Sequence, residues 1–222
     1  MIIYSILKKN CDKILEISGR DKISKIKKVR HLRVIAGTAK GKRLKAPSGL
    51  NTRPVTDMIK EALFNVLGAQ VSGSRFLDLF AGSGSVGIEA LSRGAALVVF
   101  IDRDSRAAAV VKDNLNNCGF DQARYEVYRN DVFKAIDILE RRRAKFDYIY
   151  IDPPFTDEEI FDRILHRIDQ AKIMNSKGIV IIRTRRKRVL PGDLNFLKAY
   201  RVNDYGESTL HYYNRNEEDA DL

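Results

Sequence analysis

Asp78-Leu79-Phe80-Ala81-Gly82-Ser83-Gly84-Ser85-Val86-Gly87 joins an apolar run to a helical one through a bend rich in glycine. Phe76 to Phe80 reads as a buried strand and Val86 to Ser92 as a helix closed by Gly94, with a literal Gly-x-Gly-x-x-Gly between them. The next apolar run, Leu97 to Ile101, ends on the acidic Asp102, 20 residues after Gly82. Glycines at a strand-to-helix turn let backbone approach a ligand closely, and an acid at the second strand's end can accept hydrogen bonds from both ribose hydroxyls. These features suit any cofactor containing adenosine. Asp78, set before the turn, narrows the choice, because its carboxylate would repel a pyrophosphate yet could hold an ammonium group, directly or through water. The reading is therefore S-adenosylmethionine, held by Asp78, Gly82, Gly84 and Asp102.

Outward from this stretch, strand and helix patterns alternate with the regularity of a doubly wound parallel sheet. Ser105 to Asn117 is a helix closed by Gly119. Tyr125 to Tyr128, Tyr148 to Ile151 and Ile179 to Ile182 are further strands, with helices over Val132 to Arg142 and Glu158 to Gln170. Leu197 to Tyr205 and Thr209 to Tyr213 are separated by so short a link, around Gly206, that they must pair as an antiparallel hairpin. Asn130-Asp131 follows the third strand, where Asp131 can accept from an adenine amino group, cap the helix after it, or do both.

Upstream, Leu32 to Ala36 and Lys42 to Lys45 flank a turn bounded by Gly37 and Gly41, a basic β-hairpin carrying Arg33, Lys40, Lys42 and Arg43. Thr56 then caps a helix whose Ile59, Ala62, Leu63, Val66 and Leu67 share one face, and Gly68 ends it. Arg53, Thr56 and that helix could close over the cofactor, or serve as an ordinary arginine and cap. The expected division is a basic extension over 1–30, a hairpin and helix over 31–68, a methyltransferase domain over 69–214 and an acidic tail over 215–222.

The chain's 222 residues suffice for one substantial core with a small appendage. Its net charge of +11 is unevenly spread: residues 1–60 hold 16 of the 40 Lys/Arg but only four of the 29 acids. A basic arm on a near-neutral body suits a polyanion, since each phosphate neutralised releases counterions; a solvated lysine-rich tail has the same composition. A second basic run, Arg183 to Arg188 with Thr184 as its one uncharged member, follows the fifth strand and is expected to project Arg185 and Arg186 at the cleft rim. Cys11 and Cys118 lack the spacing of a metal site or a disulfide framework, and His31, His166 and His211 are scattered, so no metal is expected. The apolar opening is too short for a signal peptide and carries its lysines after it, and no segment has the length of a bilayer span, so a soluble, cytoplasmic protein is expected.

The acceptor side is read from Asp152-Pro153-Pro154-Phe155, directly after the apolar Tyr148-Ile149-Tyr150-Ile151. Asp152 and the Pro153 carbonyl can accept from an exocyclic NH₂ group while Phe155 offers a stacking face. Two prolines stiffen the turn by fixing φ near −65°. The same tetrapeptide can also be a plain strand-ending turn.

With these motifs in view, the chain resembles the bacterial small-subunit rRNA guanine-N2 methyltransferases of the RsmD type. The likeness runs from Leu32 to Tyr213 through Arg33-Val34-Ile35-Ala36-Gly37, Thr52-Arg53-Pro54-Val55-Thr56-Asp57, Glu61-Ala62-Leu63-Phe64-Asn65, the Asp78 to Gly84 loop and the Asp152 to Phe155 turn. It implies an α/β, Rossmann-like sheet of seven strands, S-adenosylmethionine as donor, and a guanine of 16S rRNA as acceptor; free RNA and an assembling subunit both stay open as the substrate, and a monomer is expected. The resemblance carries binding and catalytic roles onto Gly82, Asp102, Asp131 and Asp152. Two features depart from the family pattern: residues 1–30 precede its usual start, and relatives often have an acidic residue soon after the fifth strand where this chain has its basic run. Other readings of the same motifs are an adenine-N6 DNA methyltransferase, a non-catalytic rRNA-binding assembly factor and a nicotinamide oxidoreductase; a related turn with asparagine in place of the aspartate serves protein-glutamine methylation.

Overall fold

Seven strands form one sheet in the order β3-β2-β1-β4-β5-β7-β6 in a computed structural model that describes residues 32–48 and 55–215. The extension over 1–30, Arg53 and the acidic residues of the tail lie outside the described residues. The strands are β1 (Arg75–Leu79), β2 (Leu97–Asp102), β3 (Tyr125–Arg129), β4 (Phe146–Ile151), β5 (Met174–Arg185), β6 (Leu197–Tyr205) and β7 (Ser208–Arg215). The first five are parallel, while β7 runs antiparallel between β5 and β6, as the short Gly206 link requires. Helices α1 (Asp57–Leu67), α2 (Ser85–Ser92), α3 (Ser105–Cys118), α4 (Val132–Arg141) and α5 (Glu159–Gln170) complete the order. None of these helices is long and apolar enough to cross a membrane.

Strand alternation gives the sheet two apolar faces. Phe76, Val98, Phe100, Tyr148 and Tyr150 point to the side covered by α1, α2 and α3, where Leu63, Phe64, Ile88, Leu91 and Val111 pack. Leu77, Leu79, Val99, Ile101, Ile149 and Ile151 point to the other, against Ile136 and Leu139 of α4 and Phe161, Ile164 and Leu165 of α5. Fully buried parallel strands need this near-continuous apolar character, which is why their runs were readable.

The upstream turn is smaller than the hairpin expected: a single antiparallel bridge joins Arg33 to Arg43, with Val34 N–H donating to Lys42 O (2.9 Å) and Leu44 N–H to Leu32 O (2.7 Å). It is fastened to the body rather than free. Glu89 of α2, fully buried, accepts from the backbone N–H groups of Ile35 (2.7 Å) and Ala36 (3.0 Å), and Thr38 N–H donates to Ser92 O at 2.8 Å. Lys60 of α1, also fully buried, lies 3.6 Å from Glu89 Oε2 and donates to the Arg33 carbonyl. Burial pulls the Lys60 ammonium below its usual range, and Glu89 opposes that pull. Thr56 caps α1, its hydroxyl accepting from Ile59 N–H at 3.4 Å, and Gly68 ends the helix at φ 63°.

Candidate active site

β1 connects to β2 on one side of the sheet, and β4 pairs with β1 on the other, so the crevice above their carboxyl ends is the switch point where open α/β sheets take ligands. Both sequence motifs open onto it. The strands run in register, Leu79 beside Ile151, and Asp152 N–H donates to Leu79 O at 3.4 Å, which sets the glycine loop and the aspartate turn side by side.

β1 stops at Leu79, one residue earlier than its apolar pattern, because Phe80 turns off with φ 62°, a left-handed conformation that costs a residue with a side chain free energy. Ala81 N–H then bonds Ile101 O (3.0 Å) and Gly84 N–H bonds Ala81 O (2.7 Å), closing the bend. Gly82 has φ 57°, with nothing nearer than 3.9 Å to a Cβ built on it, so its outer side is open. Gly87 is constrained instead by packing: a Cβ there would lie 2.3 Å from the Phe100 ring, so α2 sits against β2 only with glycine at this point.

Asp102 Oδ2 accepts from Gly82 N–H (2.8 Å) and Oδ1 from Asp104 N–H (2.9 Å), which fixes the carboxylate beside the loop. Each oxygen keeps a second lone pair, and the residue is half-buried, so two neighbouring hydroxyls could still be bound. Asp131 is the N-cap of α4: its Oδ1 accepts from Phe133 N–H (3.0 Å) and Lys134 N–H (3.3 Å), leaving Oδ2 without a partner among the described residues. Asp78 is 2% exposed and its Oδ2 accepts from Gly87 N–H at 3.0 Å. Burial, opposed by that bond and reinforced by Asp152, lifts its pKa well above the carboxylate range. A loop open at Gly82, a braced acid at the strand end and a partly used acid at Asp131 fit the sugar and base of an adenosine cofactor.

On the acceptor side, Asp152 Oδ2 takes hydrogen bonds from Arg183 Nη1 (2.7 Å) and Tyr150 Oη (3.4 Å). Oδ1 has no partner among the described residues, nor does the Pro153 carbonyl. Burial raises the Asp152 pKa, and Arg183 offsets part of the rise. The Phe155 ring, half-buried beside Phe161, has the guanidinium carbons of Arg183 and Arg185 at 5.1 and 5.7 Å from its centroid.

The basic run does not project as one patch. Arg183 is 4% exposed and points into the site, and Arg188 is drawn to Glu158 and Asp162. Arg185 and Arg186 reach solvent, with Arg186 paired to Asp204 at 3.3 Å. Lys40, Lys42 and Arg43 are exposed on the upstream turn, and Arg33 pairs with Asp57 at 3.0 Å. Arg183 and Tyr150 are the site residues that motif reading passed over; both are signalled by position, one residue past an apolar strand and two residues before Asp152.

A glycine bend and strand-end acid on one side of the crevice and an aspartate-proline turn on the other, on this strand order, define a class I S-adenosylmethionine-dependent methyltransferase. Comparison with known proteins narrows the class. The chain belongs to the family described as Conserved hypothetical protein 95, which matches residues 32–214, and it is related to the RsmD-type enzymes. It is 39% identical over 184 residues to the "Putative rRNA methyltransferase YlbH" of Bacillus subtilis, covering 83% of this chain and 99% of the relative. Ribosomal RNA small subunit methyltransferase D of Escherichia coli K12 is 28% identical over 86% of this chain and 94% of its own length. Among solved structures, "Putative methyltransferase yhhF" of Escherichia coli superposes with a TM-score of 0.71 at 26% identity, covering 84% of this chain and 98% of that one.

Proposed function

We propose that this enzyme methylates the exocyclic N2 of a guanine in small-subunit rRNA, acting as a cytoplasmic monomer on free 16S rRNA or on an assembling subunit. The observation that carries the proposal is the pair of unclaimed acceptors, Asp152 Oδ1 and the Pro153 carbonyl, beside the Phe155 ring. Two acceptors and a ring match two N–H groups on a flat base. The names of the relatives supply the RNA.

In this reading Gly82 and Gly84 lie against the cofactor, Asp102 takes its ribose hydroxyls, Asp131 its adenine amine and Asp78 its ammonium. Thr56, at the start of α1, closes the near side. When bound, S-adenosylmethionine supplies an electrophilic sulfonium methyl group. The chain's own residues act on the acceptor. N2 is a poor nucleophile while its lone pair is delocalised into the ring, and holding its hydrogens on Asp152 and Pro153 turns that lone pair outward. As nitrogen gains the methyl carbon it gains positive charge, which the Asp152 carboxylate stabilises before taking the N2 proton and releasing it to solvent. Phe155 replaces part of the stacking lost by the flipped base. Arg33, Lys40, Lys42, Arg43, Arg185 and Arg186 meet phosphates, with the N-terminal turn-and-helix unit assigned to 31–68 serving the methyltransferase domain assigned to 69–214.

The test offers labelled cofactor with small-subunit rRNA, assembled small subunits and duplex DNA, and maps the product. N2-methylguanine at one position of the rRNA is expected. N6-methyladenine in the duplex would establish the rival DNA enzyme, and binding without transfer would establish the assembly factor.

A further inference from the structure

Resting on that acceptor reading, we infer that Arg183 is a positioning residue: by holding Asp152 through Oδ2 it reserves Oδ1 for the target amine. The arrangement follows from register. Ile151 of β4 pairs with Ile182 of β5, so Asp152 and Arg183 are the next residues of two neighbouring parallel strands and their side chains meet at 2.7 Å. The guanidinium has three attachments in different directions. Nη1 donates to Asp152 Oδ2, Nε donates to Ser208 Oγ of β7 at 3.2 Å, and the central carbon lies 5.1 Å from the centre of the Phe155 ring. Ser208 is itself buried. A group held by two hydrogen bonds and packed near a ring has little freedom to turn, which restricts the oxygen it grips.

The second donor to Asp152 makes the assignment specific. Tyr150 Oη, from the same strand two residues back, also chooses Oδ2. Both protein donors thus converge on one oxygen, and the other, on a side chain that keeps 14% exposure, stays available to the cleft. A carboxylate able to spin would present either oxygen and lose the fixed line between acceptor and amine on which orientation depends. Arginine rather than lysine is suited to this, because its planar fork serves two partners at once while an ammonium is a point charge without a face. The same contact offsets part of the cost that burial places on the carboxylate's charged form, the form that can take a proton. Arg183 need never touch the substrate to do this.

The experiment compares wild type, Arg183→Met and Arg183→Lys, all in the full chain, by single-turnover methyl transfer to small-subunit rRNA across the pH range. In Arg183→Met the acid limb of the rate profile should move up by about one pH unit or more, which is roughly tenfold at a pH on that limb. Half-saturation by RNA should change less than the rate, and Arg183→Lys should bring the limb part of the way back. A limb left at the wild-type pH with a uniform loss of rate would reduce Arg183 to a structural prop and overturn the inference. So would tighter RNA binding at an unchanged rate, which would make the guanidinium a mere occupant of the base's place. If Arg183→Met gives no cooperative melt, Ser208→Ala decides, since it frees one edge of the guanidinium and leaves the ion pair; a smaller shift in the same direction supports the role and an unmoved limb overturns it. Wild-type protein that transfers no methyl group at any pH would instead sink the acceptor reading itself, and the inference with it.

Discussion

Arg183 Nη1 and Asp152 Oδ2 are 2.7 Å apart, on side chains that keep only 5% and 14% of their surface. Neither charge has water enough to stand alone, so any change at 152 acts on two ions. This determines which substitution can test the chemistry.

Asp152→Ala leaves a buried guanidinium without its counter-ion, a change that costs about 3–5 kcal/mol in comparable pairs. Loss of activity in that variant would be confounded with loss of fold. Asp152→Asn keeps an oxygen for Arg183 and removes the charge and the proton acceptor. It should lose less stability than Asp152→Ala, because Arg183 keeps a hydrogen-bond acceptor, and it should bind cofactor in a calorimetric titration and transfer no methyl group in a single-turnover assay. Near-normal transfer would remove Asp152 from the mechanism.

Phe155 already carries two guanidinium groups near its ring, but they differ in freedom. Arg183 is buried and anchored, whereas Arg185 is exposed and can lift away. Base stacking on an aromatic side chain is worth about 1–3 kcal/mol, so Phe155→Ala should raise the RNA concentration for half-saturation by roughly one to two orders of magnitude. The rate at saturation should fall far less. A reversed pattern, with the saturated rate collapsing and binding intact, would show that the ring positions Asp152 rather than the base.

Both halves of the candidate site were legible because each is a short run of special residues at a strand end. The Gly82 loop and the Asp152 turn can be placed from their own neighbours, and the C-terminal hairpin from the one tight link at Gly206. Arg183 was not legible as a site residue, since a charged run after a strand reads as solvated surface. Its inward direction depends on which strands are neighbours and in what register, and that is set by the whole sheet. The signal was present only as a coincidence: Asp152 and Arg183 each follow a four-residue apolar run by one position. Glu89 was hidden for a related reason. Its backbone partners Ile35 and Ala36 lie 54 and 53 residues upstream, a separation that no local pattern records. Phe80 looked like the end of a strand because it is apolar, and only the requirement to enter the glycine bend explains its left-handed backbone.

Glu89 is the fastening of the upstream turn. Its two oxygens take Ile35 N–H, Ala36 N–H and Arg93 Nε, with Lys60 Nζ at 3.6 Å. Glu89→Ala would leave these donors without an acceptor and Lys60 without its charge partner, and should cost about 3–5 kcal/mol in urea unfolding. Glu89→Gln keeps one carbonyl acceptor and should cost less. In both, trypsin should cut sooner at the exposed Lys40 and Lys42 than in wild type. Unchanged stability in Glu89→Ala would mean that the turn is held by Ser92 and by its apolar residues instead.

Asp78 makes stability depend on pH in a direction opposite to that of a surface carboxylate. Its native pKa is raised, chiefly by burial, so the folded state holds its proton where the unfolded chain has lost it. The stability this contributes is fully present below the ordinary carboxylate value near 3.8 and is lost as pH rises through the higher native value. Asn at this position accepts from Gly87 N–H as Asp78 Oδ2 does and has no proton to lose. The melting temperature of Asp78→Asn should therefore exceed that of wild type by a margin that grows with pH above about 4 and levels off once wild-type Asp78 is ionised. Each kcal/mol relieved should appear as about 2–4 °C in a chain of this size. The same variant should bind cofactor more weakly, because an amide cannot offer the ammonium a charge. A margin that stays flat from acid to alkaline pH would mean that Asp78 ionises as readily in the folded protein as in the unfolded chain, against the effect of its burial.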